Sequence, residues 1–408
     1  MEPLHVIADD LTGACDVAAA LLPWPTGITV YPDGMVPRER LAAGKPLAVR
    51  NTQSRTLRPA AAARRVREVL ASLGRSFDGV LLKKIDTGLR GPLGAEIDAA
   101  LDALGAAQAF VLPAIPEVGR TTVGGEQLVD GVPVHHTAFA RDPHNPVHDA
   151  RVGAVIEATS RRSTGRTDLE AARRPERIEA ALDDCRAPIV VMDAATDDDL
   201  SRCVRALLGR PRPLLLVGST GMARALRRAL PLDPCPLAAA APEPSRGAGV
   251  LVVLGSVHPT ARAQRDHAGR TGVFGEVMEV SFAGAERVGR DAARALRVGR
   301  CVALAGPDRV SAGSETAIAA ALRSAVASAL ASVRPAGVVL VGGETAFHVL
   351  DGLGHPPLTI ESRPAPLVVR GRLGTGRYRG LPVITKGGST GEPSLLADLV
   401  QSLAAGDV

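Results

Sequence analysis

The sequence of 408 residues is poor in aromatic residues, and this shortage excludes one class of protein. Aromatic side chains make up 2% of the chain, too few for the stacking platforms that bind single-stranded nucleic acid. The net charge is only +5 and the arginines are dispersed, so a pI of about 9.2 does not indicate a nucleic-acid binder. We therefore predict no nucleic-acid partner.

Cysteine and long apolar runs are also scarce. The five cysteines form no CxxC pair, which is typical of a reducing compartment and argues against structural zinc. No run approaches the ~20 apolar residues of a membrane span, and the N-terminus lacks the apolar core of a signal peptide. We expect a cytoplasmic protein without a membrane partner.

Lysine is rare, and two common nucleotide-binding signatures are missing. The chain has no GxGxxG after a strand and no GxxxxGK[ST], so a phosphate site would be of another type. Three of the four lysines, Lys83, Lys84 and Lys386, lie in strand-end motifs, which suggests a need there for a compact ammonium group.

The remaining composition is that of a globular protein, with 46% hydrophobic and 22% charged residues. Apolar runs alternate with helical periodicity, which predicts an α/β fold with two doubly wound, largely parallel sheets. A Pro- and Ala-rich stretch without periodicity interrupts the pattern. We predict an N-terminal domain over 1–233, a linker over 234–248 and a C-terminal domain over 249–408, with a ligand cleft between the domains.

The most informative stretch is GVLLKKIDTGLRGPLGAE at 79–96. Its charged residues stand between an apolar run and a helix start, hence at the carboxyl end of a strand, where open α/β sheets bind ligands. Helix starts also favour anions. The pattern indicates a carboxylate or phosphate ligand; a solvated strand-to-helix turn is the alternative. The residues concerned are Lys83, Lys84, Asp86 and Arg90.

Two further polar loops belong to the first half. Asp9-Asp10 ends the first predicted strand, where these acids can cap the next helix, bind a sugar hydroxyl, act as a base or approach a metal. A later loop contains Gly119, Arg120 and Thr121, which are further candidates for binding the substrate, and leads into a predicted hairpin at 129–132. Four histidines at 135–148 match no recognised ligand spacing, so no side-chain metal site is predicted.

Three predicted strand ends of the second half combine glycine with small hydroxyl residues. Glycine lets the backbone approach a phosphate closely, and successive N–H groups can form an anion nest. Because the strands should lie in one parallel sheet, we expect all three motifs to face the same edge. The motifs are Gly255-Ser256, Gly342-Gly343-Glu344-Thr345 and Lys386-Gly387-Gly388-Ser389-Thr390-Gly391.

Together these motifs resemble the four-carbon acid sugar kinase family. The resemblance runs from near residue 5 to near residue 395 and is most specific at ADDLTG (8–13) and KKIDTGLRG (83–91). It implies ATP-dependent phosphorylation of the terminal hydroxyl of a threonate, erythronate or 3-oxo-tetronate. It also implies that the N-terminal domain holds the acid sugar and the C-terminal domain holds ATP.

The sequence departs from the family's pattern in two places. Thr87-Gly88 replaces a commoner Ser-Thr, which bears on substrate choice. Ser389-Thr390 replaces a common Asn and Phe, which bears on the contacts with ATP. The resemblance assigns the nucleotide to Ser256, Gly342, Gly343, Glu344, Thr345 and Gly388.

Phosphoryl transfer gives the other residues their predicted roles. Asp10, or else Asp86, is the base or orienter of the attacking hydroxyl, and Asp9 binds hydroxyls. The guanidinium of Arg90 matches the substrate carboxylate bidentately, with help from Lys83 or Lys84. Lys386 contacts the phosphates. Mg²⁺ is expected with ATP, held mostly by phosphate oxygens and water.

Two other functions stay open at this point. A non-catalytic sugar-acid sensor would bind without turnover, and an aldonate dehydratase or lyase would act without ATP. The sequence does not rank the sugar acids or their stereoisomers. It does not give the oligomeric state, and a homodimer is one open assembly.

Overall fold

The computed structural model describes residues 4–22, 28–37, 47–73, 77–142, 145–230, 248–307 and 315–406. Among these residues, no helix combines the length and the apolar character needed to cross a bilayer. The chain forms two compact units, one of residues 1–28 and 33–236 and the other of residues 29–32 and 237–408. Apart from residue 248, the predicted linker at 234–248 lies outside the described residues.

The first half alternates strands with helices. In chain order the elements are β1 (Leu4–Ala8), α1 (Leu11–Ala20), β2 (Ile28–Tyr31), β3 (Leu47–Asn51), α2 (Pro59–Leu70), β4 (Val80–Lys84), α3 (Leu93–Leu104), β5 (Ala109–Leu112), β6 (Arg120–Val123), β7 (Glu126–Val129), β8 (Val132–Pro133), α4 (Val152–Glu157), β9 (Thr164–Thr167), α5 (Leu169–Ala172), α6 (Pro175–Asp184), β10 (Ile189–Met192), α7 (Asp197–Leu208), β11 (Leu214–Gly218) and α8 (Thr220–Ala229).

The second half continues the alternation and ends in a helix. Its elements are β12 (Val250–Leu254), α9 (Pro259–Arg270), β13 (Glu276–Glu279), α10 (Ala285–Arg297), β14 (Val302–Ala305), α11 (Glu315–Ser332), β15 (Gly337–Val341), α12 (Gly343–Gly352), β16 (Leu358–Ala365), β17 (Val368–Leu373), β18 (Pro382–Lys386) and α13 (Leu395–Ala405).

The first unit contains a parallel sheet with the strand order β3-β1-β4-β11-β5-β10-β9. Its central strands are buried along their whole length, as expected for a parallel sheet covered by helices on both faces. Strands β6, β7 and β8 form a small antiparallel sheet. The predicted hairpin turn is confirmed at Asp130-Gly131, where both residues have positive φ.

The second unit contains the strand order β13-β14-β12-β15-β18-β17-β16-β2. The pairs from β13 to β18 are parallel, whereas those from β18 through β17 and β16 to β2 are antiparallel. Strand β2 comes from the first half of the sequence and pairs Val30 with Leu358 and Thr29 with Thr359. The predicted α/β class with largely parallel sheets is confirmed. The strand pattern did not predict that β2, from the first half of the sequence, joins the sheet of the second unit.

Three strands went unpredicted. Strand β6 lies in the stretch that was predicted as a loop with Gly119, Arg120 and Thr121, and the other two strands, β16 and β9, have polar sequences. Strand β16 contains Glu361, Ser362 and Arg363, and irregular pairing with β17 interrupts its alternation. Strand β9 reads TGRT and lies at the edge of its sheet. Neither segment shows the apolar run or the regular alternation by which strands are recognised in a sequence.

Candidate functional site

Strands β3, β1 and β4 are neighbours in the first unit, and their carboxyl ends bring a set of charged side chains together. Arg55 lies at the centre of this set. Its Nε donates to Asp9 Oδ2 at 2.8 Å, and its Nη2 donates to Asp9 Oδ1 at 2.9 Å and to Asp10 Oδ1 at 2.6 Å. We call this edge, with Asp9, Asp10, Arg55, Asp86, Arg90 and Arg120, the charged edge.

Arg55 was not among the site residues predicted from the sequence. It follows strand β3 in the polar turn Asn51-Thr52-Gln53-Ser54-Arg55, in which no single residue stands out. The turn is held to strand β1 because the backbone N–H groups of Ser54 and Arg55 donate to the Asp9 carbonyl. The signal that could have identified Arg55 is its position as a charged residue just after strand β3, a neighbour of strand β1.

Asp10 caps helix α1, as one interpretation of the sequence proposed. Its Oδ1 accepts the backbone N–H of Gly13 at 2.9 Å, and its Oδ2 accepts the Thr12 hydroxyl at 2.5 Å. The ammonium of Lys84 lies at the same helix start and donates to the Ile85 carbonyl at 2.7 Å. A Cβ atom on Gly13 would lie 2.5 Å from Asp10 Oδ1 and 2.9 Å from Lys84 Nζ, so this position requires glycine.

Lys83 and Lys84 belong to strand β4 rather than to the loop after it, and they point to opposite faces of the sheet. Lys83 Nζ lies 3.0 Å from Glu96 Oε2 on helix α3, and both side chains are buried. The Ser54 hydroxyl also donates to Glu96. Burial raises the pKa of Glu96, and the Lys83 ammonium partly opposes this rise. The structure thus places Lys83 in a buried ion pair, whereas the Lys84 ammonium lies at the start of helix α1, on the same side of Gly13 as Asp10.

Asp86 and Arg90 form a fork-to-fork pair. The carboxylate accepts Arg90 Nε at 2.7 Å, Nη2 at 3.0 Å and the backbone N–H at 3.2 Å, while Arg90 Nη1 donates to Asp142 Oδ2 at 2.8 Å. Burial favours the neutral acid, but Arg90 and Arg55 outweigh it and hold the pKa of Asp86 well below its usual range. Asp86 therefore stays ionised near neutral pH and suits orienting a ligand better than accepting a proton.

Arg120 approaches the same place from strand β6. Its Nη1 donates to the Thr87 hydroxyl, and its guanidinium lies 5.4 Å from the ring centroid of Phe139. The guanidinium of Arg90 lies 5.1 Å from the same ring. Among the described residues, no carboxylate lies within ion-pair distance of Arg120, which distinguishes it from Arg55 and Arg90.

The neighbours of Arg120 have contacts of a different kind. Gly119 has φ +68° and ends a 3₁₀ turn, and a Cβ atom there would overlap the carboxylate of Asp130. Thr121 pairs with Leu128 in the small antiparallel sheet. Of the three residues predicted in this loop, Arg120 is the one whose side chain reaches Thr87 and Phe139.

In the second unit, strands β12, β15 and β18 are adjacent and parallel, and their carboxyl ends carry the three glycine motifs. The motifs touch one another. A Cβ atom on Gly388 would overlap the Ser256 hydroxyl, and one on Gly255 would overlap the Thr345 hydroxyl. Gly342 has φ +108°, a conformation open to glycine. All three motifs thus face one edge, as expected, and we call it the glycine edge.

Lys386 ends strand β18 at the glycine edge. Its side chain is fully buried, and Nζ donates to the Gly387 carbonyl at 2.8 Å. Burial lowers the pKa of Lys386 to about 8. Beside it, helix α12 begins with Gly343, Glu344 and Thr345, so its free N–H groups open onto this edge. Buried ammonium, helix start and absent side chains suit an anionic phosphate chain.

Gln264 connects the glycine edge to helix α9, and sequence analysis did not single it out. Its Nε2 lies within hydrogen-bond distance of three successive backbone carbonyls, those of Thr390 at 2.9 Å, Gly391 at 3.1 Å and Glu392 at 2.9 Å. Residues 390–392 continue the loop that begins at Lys386. One buried amide therefore fixes this loop to the helix that starts after Ser256.

Metal-ligating side chains are a separate question. In the parts of the chain that the structure describes, no three His, Cys, Asp or Glu residues are grouped so as to hold a metal ion. His135 and His136 face each other at 4.0 Å between ring centroids, outside both edges described above.

Family models account for both units. A model of a sugar-binding N-terminal domain matches residues 4–226, and a model of a nucleotide-binding C-terminal domain matches residues 251–396. A D-erythronate kinase of Heliobacterium modesticaldum is 30% identical, over 99% of this chain and 97% of its own. A D-threonate kinase of Bordetella bronchiseptica is 32% identical, over 98% of this chain and 97% of its own. The chain belongs to the four-carbon acid sugar kinase family.

Two solved structures have folds similar to that of this member of the acid sugar kinase family. A Salmonella typhimurium protein superposes with a TM-score of 0.76 at 21% identity, covering 97% of this chain and 98% of its own. A Haemophilus influenzae protein superposes with a TM-score of 0.69 at 20% identity, covering 99% of both chains. These two likenesses concern the fold alone.

Proposed function

We propose that this chain transfers the γ-phosphoryl group of ATP to the terminal (4-) hydroxyl of a four-carbon sugar acid such as threonate, erythronate or a 3-oxo-tetronate. The observation that carries the proposal is the presence in one chain of a charged edge that suits a small hydroxy acid and a glycine edge that suits a phosphate chain. Relatives named as D-erythronate and D-threonate kinases span the whole chain and support it.

The substrate carboxylate is best matched by Arg120. The fork of Arg90 already holds Asp86, and its remaining nitrogen holds Asp142. Arg120 donates to a neutral hydroxyl instead, so a carboxylate would gain a charge-assisted hydrogen bond without breaking an ion pair. Arg90, the first choice from sequence, then contributes positive potential and the position of Asp86.

Asp10 is the proposed orienter of the attacking hydroxyl. Its carboxylate is fixed from three sides by Gly13, Thr12 and Arg55, and such fixed acceptors suit phosphoryl transfer, which depends mainly on in-line positioning and charge stabilisation. Asp9 is held by the fork of Arg55 and remains a proposed hydroxyl acceptor. The Lys84 ammonium lies near Asp10 at the start of helix α1 and can stabilise the negative charge that develops on the attacking oxygen.

The nucleotide is proposed to lie on the glycine edge. Backbone N–H groups at Gly343, Glu344 and Thr345, the Ser256 hydroxyl and the space above Gly342 and Gly388 would hold the phosphates, with Lys386 supplying charge. The Gly342 N–H itself donates to the Lys386 carbonyl. When bound, Mg²⁺ would lower the repulsion between the phosphates and the attacking oxygen. It is expected on phosphate oxygens and water, because this edge offers hydroxyl and N–H groups rather than converging carboxylates.

A coupled ADP-release assay tests the proposal with D- and L-threonate, D-erythronate and their 3-oxo derivatives, in the presence of Mg²⁺. We expect turnover with one of these acids that collapses in Asp10→Asn and shows a raised KM for the acid in Arg120→Ala. Arg151→Ala removes an exposed arginine that pairs with Asp149, and this matched control should leave both constants unchanged.

Three outcomes would contradict the proposal. Binding of a sugar acid without ADP release, from folded protein, would identify a sensor. Consumption of the acid without ATP would identify a dehydratase or lyase. ADP release only with longer sugar acids would keep the kinase and refute the four-carbon substrate.

A further inference from the structure

Phe139 is the aromatic residue that two of the three arginines of the charged edge, Arg90 and Arg120, face. The guanidinium carbons of Arg90 and Arg120 lie 5.1 Å and 5.4 Å from its ring centroid, within the range of cation–π attraction. The turn that carries the ring is anchored, because the Phe139 N–H donates to the Thr137 hydroxyl and the Phe139 carbonyl accepts from Val147. The ring therefore has a defined position between two cations.

Gly88 makes room for this ring. A Cβ atom on Gly88 would overlap two carbon atoms of the Phe139 ring and would lie 2.9 Å from Asp86 Oδ2. The φ of Gly88 is not in the left-handed region, so the backbone itself does not demand glycine. What demands glycine at position 88 is the ring of Phe139.

A larger side chain at position 88 would meet the ring directly. A threonine there, for example, would be incompatible with the ring where it lies here. A change at position 88 thus moves an apolar ring that touches both arginines. The other close contact of a Cβ atom at this position is Asp86 Oδ2 at 2.9 Å, which belongs to the carboxylate that Arg90 holds.

We propose that the contact between Gly88 and Phe139 sets the positions of the Arg90 and Arg120 guanidinium groups, and thereby restricts the charged edge to short sugar acids. The ring fills space beside the two cations and offers no hydrogen bond to a hydroxyl, so it excludes the extra hydroxymethylene group of a five-carbon acid. Gly88 and Phe139 act as positioning residues. The inference rests on the proposed kinase function, and it adds a determinant of chain length.

A double-mutant cycle of Gly88→Ala and Phe139→Ala tests the contact. We expect Gly88→Ala to raise KM for the four-carbon acid about tenfold, the equivalent of ~1.4 kcal/mol, and to leave KM for ATP unchanged. The double variant should be no worse than Phe139→Ala, because the methyl group added at position 88 then meets no ring. Additive effects in the cycle, or an unchanged KM for the acid, would refute the proposed contact.

Chain-length selectivity is the second measurement. The ratio of kcat/KM for the four-carbon acid to that for the corresponding five-carbon acid should fall about tenfold or more in Phe139→Ala. Phe139→Leu keeps an apolar side chain at position 139 and leaves Gly88 unchanged. It can therefore be tested even if the Gly88→Ala protein does not fold. Phe77→Leu is the matched control, since Phe77 packs edge-on against His5, away from the charged edge.

Two kinds of failure are distinguishable. If the wild-type protein releases no ADP with any sugar acid, the proposed function fails, and the cycle can still be read from calorimetric binding of the acid. If the wild type turns over and the Phe139 variants keep its selectivity ratio, only the chain-length inference fails.

Discussion

The charged edge of the first unit and the glycine edge of the second unit both lie at the carboxyl ends of parallel strands, but they are built in opposite ways. The charged edge consists of long ionic side chains that hold one another, as Arg55 holds Asp9 and Asp10. The glycine edge consists of missing side chains and backbone groups, as at Gly255 and Gly388. The first is preorganised by ion pairs and the second by close packing of the backbone.

This difference has a physical reason. Buried charges are tolerated when each is paired, because an unpaired one costs several kcal/mol. The charged edge therefore commits most of its groups to internal ion pairs, whereas Arg120 donates to the Thr87 hydroxyl. The glycine edge has few charged groups. Its one buried cation among the described residues is Lys386, and the cost of burying this ammonium appears as a lowered pKa. Substitutions should accordingly damage stability at the first edge and ligand affinity at the second.

The largest expected effect would come from removing the central cation of the charged edge. Arg55→Met leaves Asp9 and Asp10 buried without their guanidinium, so the free energy of unfolding should fall by about 3–5 kcal/mol. Chemical denaturation at pH 7 measures the change. Arg64→Met is the control, because Arg64 is exposed and pairs only loosely with Glu68, and it should cost less than ~0.5 kcal/mol. Equal losses in the two variants would show that the charged edge is not held by Arg55.

A second substitution separates catalysis from stability at the same edge. Asp10→Asn keeps an N-cap oxygen for helix α1, so the fold should persist, while kcat falls by about 100-fold or more because the charged acceptor is lost. Steady-state kinetics and thermal unfolding measure the two effects. Asp168→Asn alters the N-cap of helix α5 and should leave kcat unchanged. Wild-type kcat in Asp10→Asn would exclude Asp10 as the orienter.

At the glycine edge the corresponding test is Gln264→Glu. The new side chain has the same shape, but at neutral pH it cannot donate to the carbonyls of residues 390–392 and repels them. KM for ATP should rise about tenfold, with KM for the sugar acid unchanged. Gln108→Glu is the matched control, since Gln108 Nε2 also donates to backbone carbonyls, those of Cys185 and Ala187 in the first unit. A raised KM for the acid instead of ATP would reverse the assignment of the two edges.

The smallest expected effect is a dependence on pH. With a pKa of about 8, Lys386 loses its proton as the pH rises through 8, so affinity for ATP should weaken severalfold between about pH 7.5 and 9. An anionic ligand favours the ammonium, so binding at about pH 8.5 should take up protons. Calorimetry in buffers of different ionisation enthalpy measures this uptake, and Lys386→Met should abolish it. Proton release, or uptake that persists in Lys386→Met, would contradict a phosphate contact.

The lowered pKa of Lys386 also predicts how the stability of the fold depends on pH. Its folded pKa of about 8 lies below the ordinary lysine value of 10.5, so burying the ammonium destabilises the fold below pH 8, and the penalty is relieved as the pH rises from 8 to 10.5. Lys386→Met should therefore be neutral or stabilising at pH 7 in the absence of nucleotide. Chemical denaturation of the free protein at pH 7 and pH 9 tests this, and a destabilised variant at pH 7 would contradict it.

The sequence predicts which polar groups lie at strand ends better than which of them pair. Strand ends at Asp9, Asp86 and Lys386 are recognisable because buried strands read as apolar runs that stop at polar residues. The partners come from elsewhere in the chain, so Arg55 with Asp9 depends on strands β3 and β1 being neighbours. Lys83 illustrates the limit. It is adjacent to Lys84, yet one residue of strand turns it to the opposite face and into an ion pair with Glu96.

Other features depend on packing between distant segments. The need for glycine at position 88 follows from the ring of Phe139, far along the chain, and φ at that position gives no hint of it. Gln264 looks like an ordinary polar residue of helix α9 until the loop at 390–392 is placed against it. Polar strands such as β9 and β16 carry no apolar pattern to predict them from.

The pairing of strand β2 with strand β16 has a consequence for protein synthesis. The strand at 28–31 leaves the ribosome early, but its partner at Leu358–Ala365 is made only when most of the second half has been translated. Until then the edge of β2 that pairs with β16 is open in the nascent chain, and an open strand edge can pair wrongly or aggregate. A chain truncated before residue 358 would keep this edge open permanently, and a fragment starting at residue 249 would leave β16 without β2. Expression of either half alone should therefore depend on supplying the missing strand.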